Sequence, residues 1–156
     1  MRLDDMSGSF DAAVTRQLHE LRHRPFDDLE RAAVARRTEW VRNRNPSWGD
    51  RRPTPRDVYE LFFEEYLGLD LDEVPVVEET DSKIVWRSFN RCPTLEACTR
   101  LGLDTREVCR RVYEKSTQAF VAAIDPGLRF GRSYERIRPH AEFCEEWIER
   151  GGREES

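Results

Sequence analysis

Long apolar runs are missing from this 156-residue chain. None approaches the roughly 20 residues that a bilayer-spanning helix needs. The opening MRLDDMSGSFDAAV also lacks the basic-then-apolar layout of a secretory signal. The sequence therefore predicts a soluble, cytoplasmic protein with no membrane association. Lysine is nearly absent, only Lys83 and Lys115, so arginine carries almost all the positive charge. There is no internal repeat, no Gly-rich phosphate loop and no G-x-S-x-G turn, which removes P-loop nucleotide chemistry and the nucleophile-elbow hydrolases. Close C-x(2)-C pairs are missing too, and with them the usual signature of a structural zinc site.

The residues present fit one domain able to bury a core without staples. Charged residues, at 37%, nearly equal the 38% that are hydrophobic, so the ends are expected to be poorly ordered and the core to lie in the middle and C-terminal parts. A formal net charge of −5 weighs against nucleic acid or anionic lipid as a partner.

Helical spacing of Phe10, Val14, Leu18 and Leu21 behind Ser9 predicts a first helix, and Leu29, Ala33 and Trp40 mark a second. NRNPSWGDRRPTP reads as a linker. Thr54, Pro55 and Asp57 form the start of the clearest helix, with Gly68 as its terminator. SKIVWRSFN alternates as a strand behind a Pro-containing edge segment, VPVVEET. Two helices follow, the second carrying Cys109, Val112, Tyr113, Phe120 and Ile124 on one stripe. GLRFGRSYERI and AEFCEEWIE flank the turn RPHA as an antiparallel hairpin.

The expected architecture is α+β: N-terminal helices, then a small mainly antiparallel sheet packed against two central helices. The expected division is a helical arm with an Arg-rich linker over 1–53, a core domain over 54–150 and a disordered tail over 151–156. Arg31 to Arg56 holds eight arginines against two acids, and Asp57 to Asp81 holds ten acids and no basic residue. We expect the two blocks to pair. An RNA-contacting arm with Trp40 and Trp48 is the lesser reading, and the charged N-terminal helices are a candidate surface for a protein partner.

The four cysteines are spaced C-x(5)-C-x(10)-C-x(34)-C. Pro93 favours the first helical position, which puts Cys92 at a helix cap, where free amides and the dipole stabilise a thiolate and lower its pKa. Cys98 and Cys109 stand beside apolar residues, as small buried hydrophobes do. Four thiols could still converge on zinc or an iron–sulfur cluster, with Cys92, Cys98, Cys109 and Cys144 as ligands. His140 and Glu142 form H-A-E, but only one cysteine follows, so a zinc-deaminase site is excluded. His140 is the candidate base for a nearby thiol. His19 and His23, spaced i and i+4 without a third ligand, read as a solvated face.

From Asn90 onward the chain resembles the L-2-amino-thiazoline-4-carboxylic acid hydrolase-like family. The resemblance rests on R-C-P at Arg91 to Pro93, L-G-L at Leu101 to Leu103, V-C at Val108 and Cys109, D-P-x-L-x-F at Asp125 to Phe130, and F-C at Phe143 and Cys144. It implies a small α+β domain, hydrolysis of a C–N bond in a small cyclic substrate, and Cys92, Cys109 and Cys144 as the positions that matter. The chain departs from the pattern at P-H-A-E after Arg138, and the arginine-rich N-terminal helices have no counterpart.

Two functions are expected. The favoured one is a small-molecule- or metal-binding α+β module with a cysteine-lined site, in which Asn90, Cys109 and Glu142 meet the ligand. The alternative is a thiol-dependent hydrolase of a small amide or cyclic imine, with Cys92 attacking and His140 as base.

Overall fold

The computed structural model describes residues 3–151. Helix α1 spans Leu3–His23 and α2 spans Phe26–Arg44. The first begins ahead of Ser9, which therefore is not its cap. Helix α3, Pro55–Glu60, starts on the capping box expected for it: the Asp57 amide donates to Thr54 Oγ1 at 3.2 Å, and the Thr54 amide donates to Asp57 Oδ2 at 2.8 Å. It continues into a π-helical turn, Leu61–Tyr66, and the chain turns away at Gly68, whose φ of +69° suits glycine. After a 3₁₀ turn at Leu71–Glu73 come strands β1, Val76–Glu79, and β2, Lys83–Ser88. Helix α4 is Pro93–Leu101. The next helical stretch has three parts: α5, Thr105–Val108; a second π turn, Cys109–Tyr113; and α6, Glu114–Ile124. Strands β3, Leu128–Arg132, and β4, Cys144–Arg150, complete the chain's regular elements.

The four strands form one antiparallel sheet in the order β1-β2-β4-β3, with the helices packed on it, so the fold is α+β. Strand β2 pairs with β4, and β4 with β3, as the common alternation of apolar residues requires. The β3–β4 connection is longer than the four-residue turn expected, covering residues 133–143 with a cis Arg138–Pro139 bond inside it. Gly131 lies opposite Trp147, and a Cβ there would come within 2.4 Å of the indole, so only glycine lets the ring lie flat on the strand.

The main core joins Val58, Tyr59, Phe63, Trp86, Phe120 and their neighbours beneath the sheet. Phe120 is fully buried, with Phe62 edge-on at 4.9 Å and Trp40 stacked at 5.7 Å. Fully burying one such ring contributes about 1.5–3 kcal/mol. A second cluster joins Leu21 and Leu29 to Ala97, Cys98, Val108 and Val112. Because Val41 belongs to the first cluster and Leu21 and Leu29 to the second, α1 and α2 are built into the same body as residues 54–150 and do not form a separate arm. Of the expected tail, residues 152–156 lie outside the described residues. The arginine and acidic blocks meet as expected: Arg44 with Glu65 at 2.7 Å, Arg51 with Asp57 at 2.6 Å, and Arg56 with Glu79 at 2.7 Å. Among the described residues no helix is long and apolar enough to cross a membrane.

Candidate functional site

Helices α1 and α2, both π turns and the inner face of the sheet line a half-open cavity of about 630 Å³. This size falls in the range of sites for drug-sized ligands. The π turns shape its wall. Phe62, Phe63 and Tyr66 come from the first and Cys109 and Tyr113 from the second, all five lining the cavity. A π turn widens the helix by one residue and re-aims the side chains that follow, and such turns recur at functional sites. Val112, in the same turn as Cys109 and Tyr113, packs instead into the second core cluster with Val108.

Three of the four cysteines reach this cavity: Cys92, Cys109 and Cys144. Asn90 lines it as well. Cys98 does not; it is fully buried in the second core cluster, as a small hydrophobe. Among the described residues no group of three or more His, Cys, Asp or Glu is arranged to hold a metal ion. The zinc or iron–sulfur expectation for Cys92, Cys98, Cys109 and Cys144 thus finds no ligand set there.

Cys92 does cap α4 in extended backbone conformation, with Pro93 at the first helical position. Its thiol is nevertheless not the acidic one expected. Burial pushes its pKa up, and the amides of Leu95 and Thr94 and the Arg138 guanidinium only partly offset this. Burial likewise pushes the Cys109 thiol up to about 12, against the pull of Arg132. Cys144 Sγ accepts hydrogen bonds from the Arg138 amide and from its Nε, both at 3.4 Å. Arg138 also donates from Nη1 to the Asn90 carbonyl at 2.6 Å, tying the β3–β4 connection to the residues ahead of Cys92.

His140 and Glu142 are exposed and are not part of the cavity wall. The His140 Nε2 lies 3.2 Å from Asp104 Oδ1, on the outside of the molecule. The longer β3–β4 connection carries both residues outward, so the arrangement of Cys92 with His140 as its base is not what the fold assembles around the cavity.

The residues that dominate the cavity electrically are ones the sequence did not single out. Six arginines, at 16, 36, 37, 91, 132 and 138, line it against two glutamates, 73 and 146. Arg132 Nε donates to Glu146 Oε2 at 2.7 Å, and Trp86 Nε1 donates to Glu146 Oε1 at 3.0 Å, so one buried carboxylate serves both. Arg37 differs. Its Nη1 donates to Ser116 Oγ at 3.1 Å and Thr117 Oγ1 at 2.7 Å, and its guanidinium lies 5.3–5.7 Å from the ring centres of Phe62, Tyr66 and Tyr113. No described carboxylate forms an ion pair with it. Burial holds its pKa below the ordinary arginine value. Gln17 Nε2 donates to the Tyr113 hydroxyl at 2.6 Å.

Three buried side-chain polar atoms among the described residues have no hydrogen-bond partner: Gln17 Oε1, Arg37 Nε and Arg132 Nη1. All three belong to residues that line this one cavity. Comparison with known proteins finds no family model that matches the chain and no match among curated proteins.

Proposed function

We propose that this protein is a small-molecule-binding module whose ligand occupies the cavity beside Cys92, Cys109 and Cys144. The observation that carries the reading is the set of orphaned polar atoms on Gln17, Arg37 and Arg132, all on the wall of one cavity of about 630 Å³. Buried polar groups without partners are rare in folded proteins because each forfeits about 1–3 kcal/mol of hydration. Three in one cavity are accounted for by a molecule that satisfies them. The resemblance of the C-terminal part to amino-thiazoline-carboxylate hydrolase-like proteins agrees with a small-molecule site at the same cysteines. The binding reading is preferred to a thiol hydrolase because the Cys92 thiol is pushed toward its protonated form and His140 faces Asp104 outside the cavity.

The test is a screen of neutral and charged fragments by amide-resolved NMR. Binding in the cavity shifts resonances of Gln17, Arg37, Cys92, Cys109 and Arg132 together. A screen in which no fragment binds, or in which shifts gather elsewhere, overturns the proposal.

A further inference from the structure

We infer that the ligand is an amphipathic organic anion, an oxyanion head on an apolar body of about ten or more heavy atoms, with the head held at Arg37. The inference rests on the binding reading above and adds the chemistry of what is bound. The chain as a whole carries −5, yet the cavity wall carries six arginines against two glutamates. A concave site of one sign with low-dielectric walls concentrates ions of the other sign. Glu146 is already engaged by Arg132 and by the Trp86 indole, so the wall has little negative charge left to neutralise the remaining cations.

Arg37 is the place where a head group fits. Its Nη1 is occupied by two neutral hydroxyls, whereas its Nε is buried and has no acceptor. A guanidinium presents its donors as a planar fork suited to a carboxylate or a similar oxyanion. The hydroxyls of Ser116 and Thr117 each donate to the Tyr113 carbonyl, at 3.0 and 2.9 Å, so their oxygens are oriented to accept from Arg37 and fix it in place. The rings of Phe62, Tyr66 and Tyr113 around it exclude water and so strengthen any charge pairing there. Beyond the head, Phe63, Trp86, Val121, Phe130 and Ile148 give the cavity an apolar floor, which calls for an apolar body and not a second charge. The thiol of Cys109, held protonated by burial, adds to that floor as a neutral group.

The test uses matched pairs that differ only in charge: 2-naphthoate against 2-naphthamide for a ring body, and decanoate against decanamide for a chain. Affinities for the full chain are measured by titration calorimetry at pH 7.5. The expected result is that each acid, or at least one, binds about 10-fold or more tightly than its amide. In Arg37→Met this preference disappears, because the acid loses more affinity than the amide, which accepts only a neutral hydrogen bond from the guanidinium. Thermal melting of the variant checks that it is folded. Acids and amides of equal affinity in the wild type, or a charge preference that survives Arg37→Met, overturn the inference and leave the cavity as a binding site for neutral molecules. Failure of all four probes to bind counts against both the inference and the binding reading. Which acid binds better separates a ring-bearing from a chain-bearing ligand.

Discussion

Arg132 and Arg37 are both half-buried against the same cavity, one on the sheet wall and one on a helix wall, and the fold compensates them differently. Arg132 stands opposite Glu146 in the β3–β4 register, so the strand pairing that builds the sheet also delivers its counter-charge. Arg37 projects from α2 toward α6, and what meets it there is two hydroxyls and three ring faces. Burying a cation without a carboxylate is unfavourable, and hydrogen bonds and ring faces offset this only in part. The sheet wall therefore has its counter-charge within the protein, with Arg132 Nη1 alone left unpartnered, whereas the helix wall has no counter-charge among the described residues.

The largest effect is expected where the comparison is broken on its complete side. Glu146→Ala leaves Arg132 buried with no anion and the Trp86 indole with no acceptor. Removing one partner of a buried pair destabilises by about 3–5 kcal/mol, read as the loss of unfolding free energy in urea. A loss below about 1 kcal/mol would mean that Arg132 reaches solvent in the variant, and the two arginines would then differ less than the structure indicates.

The thiols sharpen the same contrast kinetically. With the Cys109 pKa pushed up to about 12, its thiolate is scarce at pH 7.5. Set against an ordinary cysteine near 8.5, and allowing for the greater nucleophilicity of a more basic thiolate, alkylation by iodoacetamide slows about 100-fold. Cys98, fully buried and likewise pushed up to about 12, is expected to be slower still. Glu146→Gln removes a charge that raises the Cys109 pKa and should speed its reaction, as peptide mass spectrometry after timed quenching would show. Reaction of Cys109 at the rate of a free thiol would contradict the partial burial that raises its pKa.

These features were unevenly legible in the sequence. The capping box at Thr54 and Asp57 and the presence of a strand from Lys83 were read correctly because each depends on residues a few positions apart, although Val85 is buried together with Ile84 and Trp86 and the strand stops at Ser88. The pairing of the arginine and acidic blocks followed from charge alone. Cys92, Cys109 and Cys144 were singled out only by the family resemblance, because their spacing in the chain does not itself show that they line one cavity. The π turns were hidden because one extra residue in a helical turn leaves the apolar pattern nearly unchanged. The Arg132–Glu146 pair depends on strand register across a connection that was read as much shorter. His140 and Glu142 were misplaced for the same reason. Arg37 did leave a trace: it falls at i+4 between Ala33 and Val41, both buried, and an arginine inside a buried stripe is the pattern to look for.

A smaller effect is expected at Asp125, a carboxylate supplied with the partners that Arg37 lacks. It accepts from the Gly127 amide at 2.8 Å, from Arg150 Nη1 at 3.1 Å and from Arg52 Nη2 at 3.4 Å. Burial alone would raise its pKa, but these donors outweigh burial and the net direction is down. A carboxylate with a depressed folded pKa contributes stability that is present above its unfolded pKa, near 3.9, and is lost as the pH falls through the folded value. Wild-type stability should therefore decline below about pH 4. Asp125→Asn should be less stable at pH 7 by about 1–2 kcal/mol and show a shallower acid decline. Parallel acid profiles for the two proteins would show that Asp125 does not titrate as the geometry implies.

The smallest effect, and the one that decides the comparison, is expected at Arg37 itself. Arg37→Met retains a long unbranched side chain among Phe62, Tyr66 and Tyr113 and removes the charge. The hydroxyls it leaves behind are not orphaned, because Ser116 and Thr117 still donate to the Tyr113 carbonyl. The variant loses contacts of a cation with aromatic rings, worth about 0.5–1 kcal/mol or more each, and gains relief from burying an uncompensated guanidinium, a term of opposite sign and similar or larger size. The two nearly cancel, so unfolding free energy in urea should stay within about 1 kcal/mol of wild type or rise above it. Arg132→Met, which strands Glu146, should instead lose several-fold more. If Arg37→Met proves as destabilising as Arg132→Met, Arg37 is a structural tie between α2 and α6, and its free Nε is no reason to expect an anion in the cavity.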